Sequence, residues 1–363
     1  MYSFEPTEEQ QMLVETVGRY AINHLRPAAR AAEESSELSK SLVNKGWELG
    51  LLQASIPESY GGFGERSAVT GVLAVEEMAF GDLAGALAVI TPSLFATPIL
   101  LAGSEEQKQT YLPKIIEGEW SPYTAALIEY AFDFDPNALK TTATLQEDQY
   151  LLTGEKVFVP FAKDADFILV YANLNGQTQG FITPRDDLSI SEEREKLMSL
   201  NALPLYRIHL DNVKVPAANR LGGVSGHDFE PILASMRVAT AAAAVGVANA
   251  AFEYSKNYAR EREAFGVKIA QKQAIAFMLA EMRTEIEASR LLTWEAAWKL
   301  DQGKEGAFVE AYLAATGAAD MAMMVTDRAV QILGGHGYIR EHPVEMWMRN
   351  GRGFATFTGL TIV

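Results

Sequence analysis

The hydrophobic pattern along the chain predicts helices first, strands next and helices again at the end. In the first region, Thr7 and Gln10 have the spacing of a capping box, which marks the start of a helix. Apolar residues then recur at helical spacing: Leu13, Val17 and Tyr20. Similar patterns predict further helices over residues 68–80 and 105–112. We therefore predict an α-helical domain over residues 1–120.

The pattern changes to strands between residues 121 and 222. A short apolar run over residues 167–171 precedes Asn175 and Gly176, a pair that is a strong hairpin-turn signal. Further on, apolar residues alternate with polar ones, as in a half-buried strand: Tyr206, Ile208 and Leu210. Residues 121–222 are therefore predicted to form a middle β domain.

Residues 223–363 return to helical patterns. Alanine dominates residues 239–251, which suits helices that pack closely together. Two apolar stripes at helical spacing follow: Ile275, Met278, Met282 and Ile286 in the first, and Phe308, Tyr312, Ala315, Ala319 and Met323 in the second. Two long stripes with a short link predict an antiparallel helical bundle. The predicted fold class is thus mainly α with a central β domain.

Composition narrows the classes of function. The 363 residues carry a formal charge of −16, which argues against broad binding to nucleic acid or anionic membranes. We find no uncharged apolar run long enough to cross a bilayer, and the start of the chain lacks the pattern of a secretion signal. The absence of cysteine excludes disulfides and thiol nucleophiles, and the five histidines lack metal-ligand spacing. We therefore expect a cytoplasmic protein without a metal site.

Two motifs in the last third resemble those of the acyl-CoA dehydrogenase family. Residues 262–266 have the sequence Arg-Glu-Ala-Phe-Gly and are followed by Gln273, while residues 331–337 have the sequence Gln-Ile-Leu-Gly-Gly-His-Gly. The order of helices, strands and helices also resembles that family over essentially the whole chain. The resemblance implies an N-terminal helical domain, a middle β-barrel and a C-terminal four-helix bundle.

The resemblance also implies contacts to the FAD of a neighbouring subunit. A planar guanidinium can hold two phosphate oxygens, and glycine lets the main chain approach a ligand closely. The implied cofactor-binding residues are Arg262, Phe265, Gln273, Gln331, Gly334 and Gly335. Two simpler interpretations stay open. In one, Arg262 is a solvated charge that makes ion pairs on the helix surface within residues 260–263. In the other, Gly334 and Gly335 form a helix C-cap. His336 lies in the same loop but is not included in this set.

The family's flavin motifs in the middle domain are changed in this chain. A threonine-glutamate-proline-glycine-x-glycine-serine-aspartate stretch is replaced by residues 128–135, which contain bulky aromatic side chains: Tyr130, Phe132 and Phe134. A tryptophan-isoleucine-threonine stretch is replaced by residues 158–160, where Pro160 lacks both the backbone donor and the hydroxyl that would bind flavin. We expect these aromatic side chains and Phe158 to pack in the core or at an interface.

The family's catalytic glutamate is absent from both positions where members carry it. Thr358 occupies one position, and Met236, before Arg237, occupies the other. Neither side chain can accept a proton from an acyl-CoA α-carbon at neutral pH, and loss of a general base costs a factor of about 100 to 10,000. We therefore assign no catalytic residue. Nearby carboxylates are expected to be structural and to pair with an arginine: Glu341 and Glu345, with Arg349.

Three hypotheses follow from this pattern of losses. We favour a non-catalytic subunit of an α2β2 acyl-CoA dehydrogenase, which shares FAD with a homologous catalytic subunit. That complex would act on an acyl-CoA, steroid-like by analogy with other split enzymes, and would pass electrons to an electron-transfer flavoprotein. The second hypothesis is a self-sufficient flavoenzyme of altered chemistry, such as a desulfinase or an oxygen-using enzyme. The third is a flavin-free scaffold. No nucleic acid or membrane partner is expected.

Overall fold

The computed structural model describes residues 5–363 and begins with helices. The capping box is present, because Thr7 accepts a hydrogen bond from the Gln10 N–H and donates its own N–H to the Gln10 side chain. Residues 1–4, which are part of the start considered for a secretion signal, lie outside the described range. The helices are α1 (Glu8–Tyr20), α2 (Arg26–Ser35), α3 (Lys40–Trp47), α4 (Leu51–Ala54), α5 (Ala68–Gly81), α6 (Leu83–Ile90), α7 (Ser93–Ala102) and α8 (Glu105–Ile116).

The middle region forms a seven-stranded sheet. Its hairpin between the strands Phe167–Leu174 and Gln177–Pro184 turns at Asn175 and Gly176, as predicted. The predicted alternation also holds in the strand Leu205–Pro216, where Tyr206, Ile208 and Leu210 are buried. Strand order is β1-β4-β2-β3-β7-β6, with β5 paired to β4. The strands are β1 (Thr124–Ala126), β2 (Thr142–Gln146), β3 (Gln149–Pro160), β4 (Phe167–Leu174), β5 (Gln177–Pro184), β6 (Ser189–Ile190) and β7 (Leu205–Pro216).

The last region is built around the long helix α9. Alanine and other small side chains let α9 lie against its neighbours, and most of its residues are buried. One hydrophobic core joins α9, α10 and α11 to helix α5 of the first region, so the two helical regions share a core. A three-domain fold that is mainly helical with a central sheet confirms the predicted fold class. The helices are α9 (Glu230–Glu261), α10 (Gln273–Asp301), α11 (Ala307–Leu333) and α12 (Val344–Gly351).

The two predicted apolar stripes have different outcomes. In α10, Met282 and Ile286 are buried and the two earlier members are partly buried, so this prediction is confirmed. In α11 the predicted face is wrong, because Phe308, Tyr312 and Met323 are exposed and Tyr312 keeps 52% of its surface. The buried face of α11 consists mainly of small residues: Ala307, Ala311, Ala314, Ala318 and Ala322. Helix α11 therefore has two apolar faces, and only the alanine face contacts the core of this chain.

Two helical segments are long and apolar enough to cross a membrane by length and composition. They are Glu230–Glu261 and Ala307–Tyr338, and the bent pair α6 and α7 would count as a third if it formed one span. The prediction that no such run exists is therefore wrong. The apolar window of the first segment is 89% buried inside the protein, against 33% in the second. The core accounts for the apolar character of α9, whereas α11 keeps an exposed apolar face.

Candidate functional site

A short hairpin after α9 presents an aromatic side chain to the outside. Strands β8 (Glu263–Ala264) and β9 (Val267–Lys268) pair, and the turn between them consists of Phe265 and Gly266. Both turn residues have positive φ, 55° and 80°, as in a type I′ turn. This conformation is uncommon for a bulky side chain. Phe265 keeps 95% of its surface exposed, and the Lys272 ammonium lies over its ring at 5.8 Å from the centroid. The local backbone therefore holds a large apolar group outside the core.

Arg262 lies at the junction between α9 and this hairpin. Helix α9 ends at Glu261, and Arg262 has extended backbone angles with its N–H donated to the Tyr258 carbonyl. Within residues 5–363 its guanidinium makes no ion pair or hydrogen bond, while the neighbouring Glu263 pairs with Lys268 at 2.8 Å. The alternative of helix-surface ion pairs at Arg262 is therefore not what the structure shows. The charge is available to a group outside this chain.

The glycine pair lies where α11 ends. The Gly334 N–H bonds to carbonyls of the last helical turn, so the residue acts as a helix cap with a φ of 59° that favours glycine. Apart from the adjoining residues, no atom of residues 5–363 lies within 4 Å of a Cβ built on Gly334 or on Gly335. The space beside these two residues is therefore open, and it can admit a ligand close to the main chain.

An open cavity of about 400 Å³ joins these features. Three of the six predicted cofactor-binding residues line it: Arg262, Gly334 and Gly335. The other three do not. Phe265, Gln331 and Gln273 are exposed nearby, and Gln273 is the first residue of α10, a helix that no side chain caps. The further lining residues are Tyr258, Ala264, Ile269, Ile332, Leu333 and His336.

Two residues of this cavity, Tyr258 and His336, were not predicted to bind the cofactor. The Tyr258 hydroxyl lies 2.6 Å from Nδ1 of His336. Tyr258 lies four residues before Arg262, so the helical period of 3.6 residues would have placed it on the same side of α9. For His336, the signal was its position inside the Gly-Gly-His-Gly loop. The contact between them depends on the packing of α9 against the loop, which the sequence does not show.

The two middle-domain segments at residues 128–135 and 158–160 carry four aromatic side chains with different surroundings. Phe158 has a φ of 56° at an irregularity in the β3–β7 pairing, and it packs against the main core. Phe134 also packs against the core. Tyr130 keeps 78% of its surface exposed and Phe132 is fully exposed, so neither packs in the core of this chain, and packing at an interface stays a prediction for both. Tyr130 still contacts the domain, because the Arg207 guanidinium of β7 lies over its ring at 5.7 Å from the centroid.

A buried ion pair supports the loop that follows β1. The Lys156 ammonium donates to Glu129 at 2.8 Å and to the Leu127 carbonyl at 3.0 Å. The Glu129 carboxylate also accepts the backbone N–H groups of Lys140 and Thr141. Both ends of the loop are thus held by one carboxylate, which needs no bound cofactor to stay in place.

Neither expected base position offers a carboxylate. Met236 is fully buried among apolar side chains. Thr358 is partly buried and precedes Gly359, which lies close to Leu127 of the middle domain. Of the two nearby glutamates, Glu345 pairs with Arg349 as predicted, at 2.9 Å. The same prediction is wrong for Glu341, which is exposed and makes no ion pair in the part of the chain that the structure describes.

Comparison with known proteins gives consistent matches over nearly the whole chain. Models of the N-terminal, middle and C-terminal domains of acyl-CoA dehydrogenases match residues 7–119, 126–213 and 229–361. An acyl-CoA dehydrogenase of Bacillus subtilis is 34% identical over 95% of this chain and 93% of that protein. The cyclohex-1-ene-1-carbonyl-CoA dehydrogenase of Geobacter metallireducens is 35% identical over 97% and 95%. The butyryl-CoA dehydrogenase structure from Megasphaera elsdenii is 32% identical, with a TM-score of 0.88 over 99% and 96%.

Proposed function

Since the chain belongs to the acyl-CoA dehydrogenase family, we propose that it is the non-catalytic subunit of a heteromeric acyl-CoA dehydrogenase. The family relationship supports an FAD-dependent oxidoreductase that acts on acyl-CoA thioesters. In the proposal, a homologous catalytic subunit holds most of the FAD, and this chain adds contacts from its C-terminal region. The observation that carries the proposal is the contrast between the open cavity at Arg262 and the middle-domain segment at Phe158, where the aromatic side chain packs against the core.

The cavity at Arg262 fits part of an FAD molecule. The Arg262 guanidinium makes no ion pair or hydrogen bond within residues 5–363, and a pyrophosphate would supply two oxygen atoms to it. Gly334 and Gly335 leave open space where a Cβ would otherwise stand. Gln273 does not line this cavity, but it begins α10 where no side chain of residues 5–363 acts as a cap. The backbone N–H groups and the dipole at this helix start favour an anion. These groups suit a diphosphate and leave the flavin ring to another subunit.

The middle domain fits FAD poorly. Pro160 lacks an N–H group, and Phe158 and Pro160 carry no hydroxyl that could donate to a flavin ring. Ile128, where the family has threonine, is buried and apolar. A flavin ring needs hydrogen-bond donors along its polar edge, so these substitutions weaken an intrachain site. The proposed assembly, α2β2, would therefore contain half the usual number of flavins.

In this proposal the chain binds and orients, and its partner carries out the proton transfer. When bound, FAD supplies a hydride acceptor for α,β-dehydrogenation of the thioester. Arg262 fixes the anionic part of the cofactor, while Thr358 and Met236 leave proton removal to the partner's carboxylate. We extend the proposal to a bulky, steroid-like acyl group by analogy with other split enzymes, to electron transfer through an electron-transfer flavoprotein, and to a cytoplasmic location.

Flavin counting tests this proposal directly. The chain is purified alone and together with a homologous dehydrogenase encoded beside it, and the flavin absorbance is measured per mass of protein. We expect negligible FAD in the solitary chain and one FAD per pair of subunits in the complex. One FAD per subunit in a homo-oligomer that oxidises an acyl-CoA would instead support the self-sufficient flavoenzyme. Absence of FAD from every complex would support the scaffold.

Replacing Arg262 by alanine should weaken FAD binding in the complex by about ten- to a hundredfold. The reason is that a charge-assisted hydrogen bond from a guanidinium to a phosphate is lost from a site with no competing intrachain carboxylate. The measurement is the dissociation constant of FAD from fluorescence titration of the apo-complex. Arg260→Ala is the matched control, because Arg260 is exposed at the same helix end but does not line the cavity. Equal affinities for the two variants would contradict the role of Arg262.

A further inference from the structure

The geometry points to Tyr258 and His336 as a donor pair, in which the tyrosine fixes the histidine so that its Nε2–H serves an anion bound in the cavity. This inference rests on the proposed function and adds a residue to the same site. The Tyr258 hydroxyl is 2.6 Å from His336 Nδ1, and both residues line the cavity that contains Arg262. His336 is thus a binding residue, and Tyr258 is a positioning residue that acts through it.

The hydrogen bond determines which ring nitrogen can donate. A neutral imidazole carries its proton on one nitrogen only, and the other nitrogen accepts. When the Tyr258 hydroxyl donates to Nδ1, the proton of His336 is on Nε2. Nε2 is then the remaining ring atom that can reach a ligand in the cavity. A hydrogen bond to one ring nitrogen that fixes the tautomer in this way also fixes the orientation of the ring.

A neighbouring pair shows that the loop does not need this contact simply to stay attached to α9. Tyr254, one turn earlier on α9, lies 2.7 Å from Nδ1 of His342 in the same manner. Arg30 also donates to the His342 carbonyl. The loop is therefore also anchored at a pair that does not line the cavity. The His342 ring packs against Tyr258 and His336, with ring centroids 5.8 and 5.6 Å away. The Tyr258–His336 pair differs because it faces the open space beside Gly334 and Gly335.

The cavity lining defines the class of ligand. Arg262 contributes a permanent cation and His336 a directed N–H, a combination that suits the two linked anionic groups of a nucleoside diphosphate. The rest of the wall is apolar, with Ile269, Ile332 and Leu333, and can accept the uncharged part of such a molecule. The diphosphate portion of FAD has this chemistry.

Side-chain isosteres test the proposal in the flavin-containing assembly that is purified with this chain. Glutamine places its amide nitrogen near the position of Nε2, whereas asparagine places it near Nδ1. We expect His336→Ala and His336→Asn to weaken FAD binding about tenfold. His336→Gln should retain most of the affinity. Tyr258→Phe should weaken binding by less than His336→Ala and should have no further effect in the His336→Ala background.

Tyr254→Phe is the matched control and should leave FAD affinity unchanged, because its hydroxyl contacts His342 outside the cavity. Equal affinity losses for His336→Gln and His336→Asn would overturn the inference, since a purely structural role does not distinguish the two. The Arg262→Ala variant distinguishes failure of the Tyr258–His336 inference from failure of the proposed function. If Arg262→Ala weakens FAD binding and the His336 variants do not, only the donor pair is rejected. If Arg262→Ala has no effect, the proposed function itself is rejected.

Discussion

Replacing Arg290 by methionine is expected to lower the free energy of unfolding by about 3–5 kcal/mol. Arg290 of α10 is buried and donates to Glu76 of α5 at 2.6 Å, so this ion pair is one of those that join the first helical region to the last. Methionine keeps most of the volume but leaves Glu76 buried without its cation. The cost of an unpaired buried charge is larger than the net contribution of the pair itself. Urea denaturation of the purified protein gives the measurement.

The loss of stability in Arg290→Met should depend on pH, and its direction follows from the pKa of Glu76. Burial raises the pKa of Glu76 above its ordinary value of 4.5, against the attraction of Arg290. In Arg290→Met we expect the pKa of Glu76 to rise further, because the attraction of the guanidinium is lost. A carboxyl group whose folded pKa is raised favours the folded state most at pH below 4.5, and this contribution is lost as pH rises through the folded pKa. Arg290→Met should therefore be least destabilising in acid and most destabilising at neutral pH and above.

Arg283→Met on the same helix is the control for Arg290. Arg283 pairs with Glu287 at 2.6 Å, and these two side chains keep 47% and 37% of their surface exposed. Glu287 also pairs with Arg290, so it keeps a cation when Arg283 is replaced. Exposed ion pairs contribute about 0–1 kcal/mol, so this substitution should have a small effect with little dependence on pH. If the two methionine variants lose equal stability, burial is not what makes the Glu76–Arg290 pair important.

Local signals in the sequence predicted much of the fold. The Thr7 capping box, the turn at Asn175 and Gly176, and the buried face of β7 each depend on a few neighbouring residues, and the structure contains all three. The α11 stripe failed for a different reason. Side-chain size favoured the face with Tyr312, while the core of this chain takes the face with Ala314 because α9 approaches closely. Periodicity identifies an apolar face but not the partner that covers it.

The sequence also predicted one part of the candidate site and missed another. Motif spacing brought Arg262 together with Gly334 and Gly335, which the structure places around one cavity. Their role in binding FAD stays a prediction. The contact between Tyr258 and His336 joins residues far apart in the chain, and no local pattern indicates it. The aromatic side chains of Tyr130 and Phe132 suggested packing in the core or at an interface. The structure leaves both exposed, and the sequence pattern does not show which way the loop runs.

Replacing Lys156 by methionine should also lower the free energy of unfolding by about 3–5 kcal/mol. Lys156 is fully buried and pairs with Glu129, which keeps only two backbone N–H donors once the ammonium is removed. Adding Glu129→Gln should recover part of the loss, because the neutral amide carries a smaller desolvation cost. Thermal or urea unfolding of the single and double variants measures the recovery.

The Lys156 prediction bears on function because Glu129 and Lys156 secure the loop that would otherwise contact flavin. If the chain is a subunit without its own flavin, these protein contacts alone must hold the loop, and stability lost in Lys156→Met should not return when FAD is added. Lys140→Met is the control, since its ammonium makes only an exposed pair with Asp133 at 3.7 Å and should contribute less than about 1 kcal/mol. Restoration of Lys156→Met by FAD in the solitary chain would show that flavin binds beside this loop. That result would contradict the assignment of the cofactor to a partner's site.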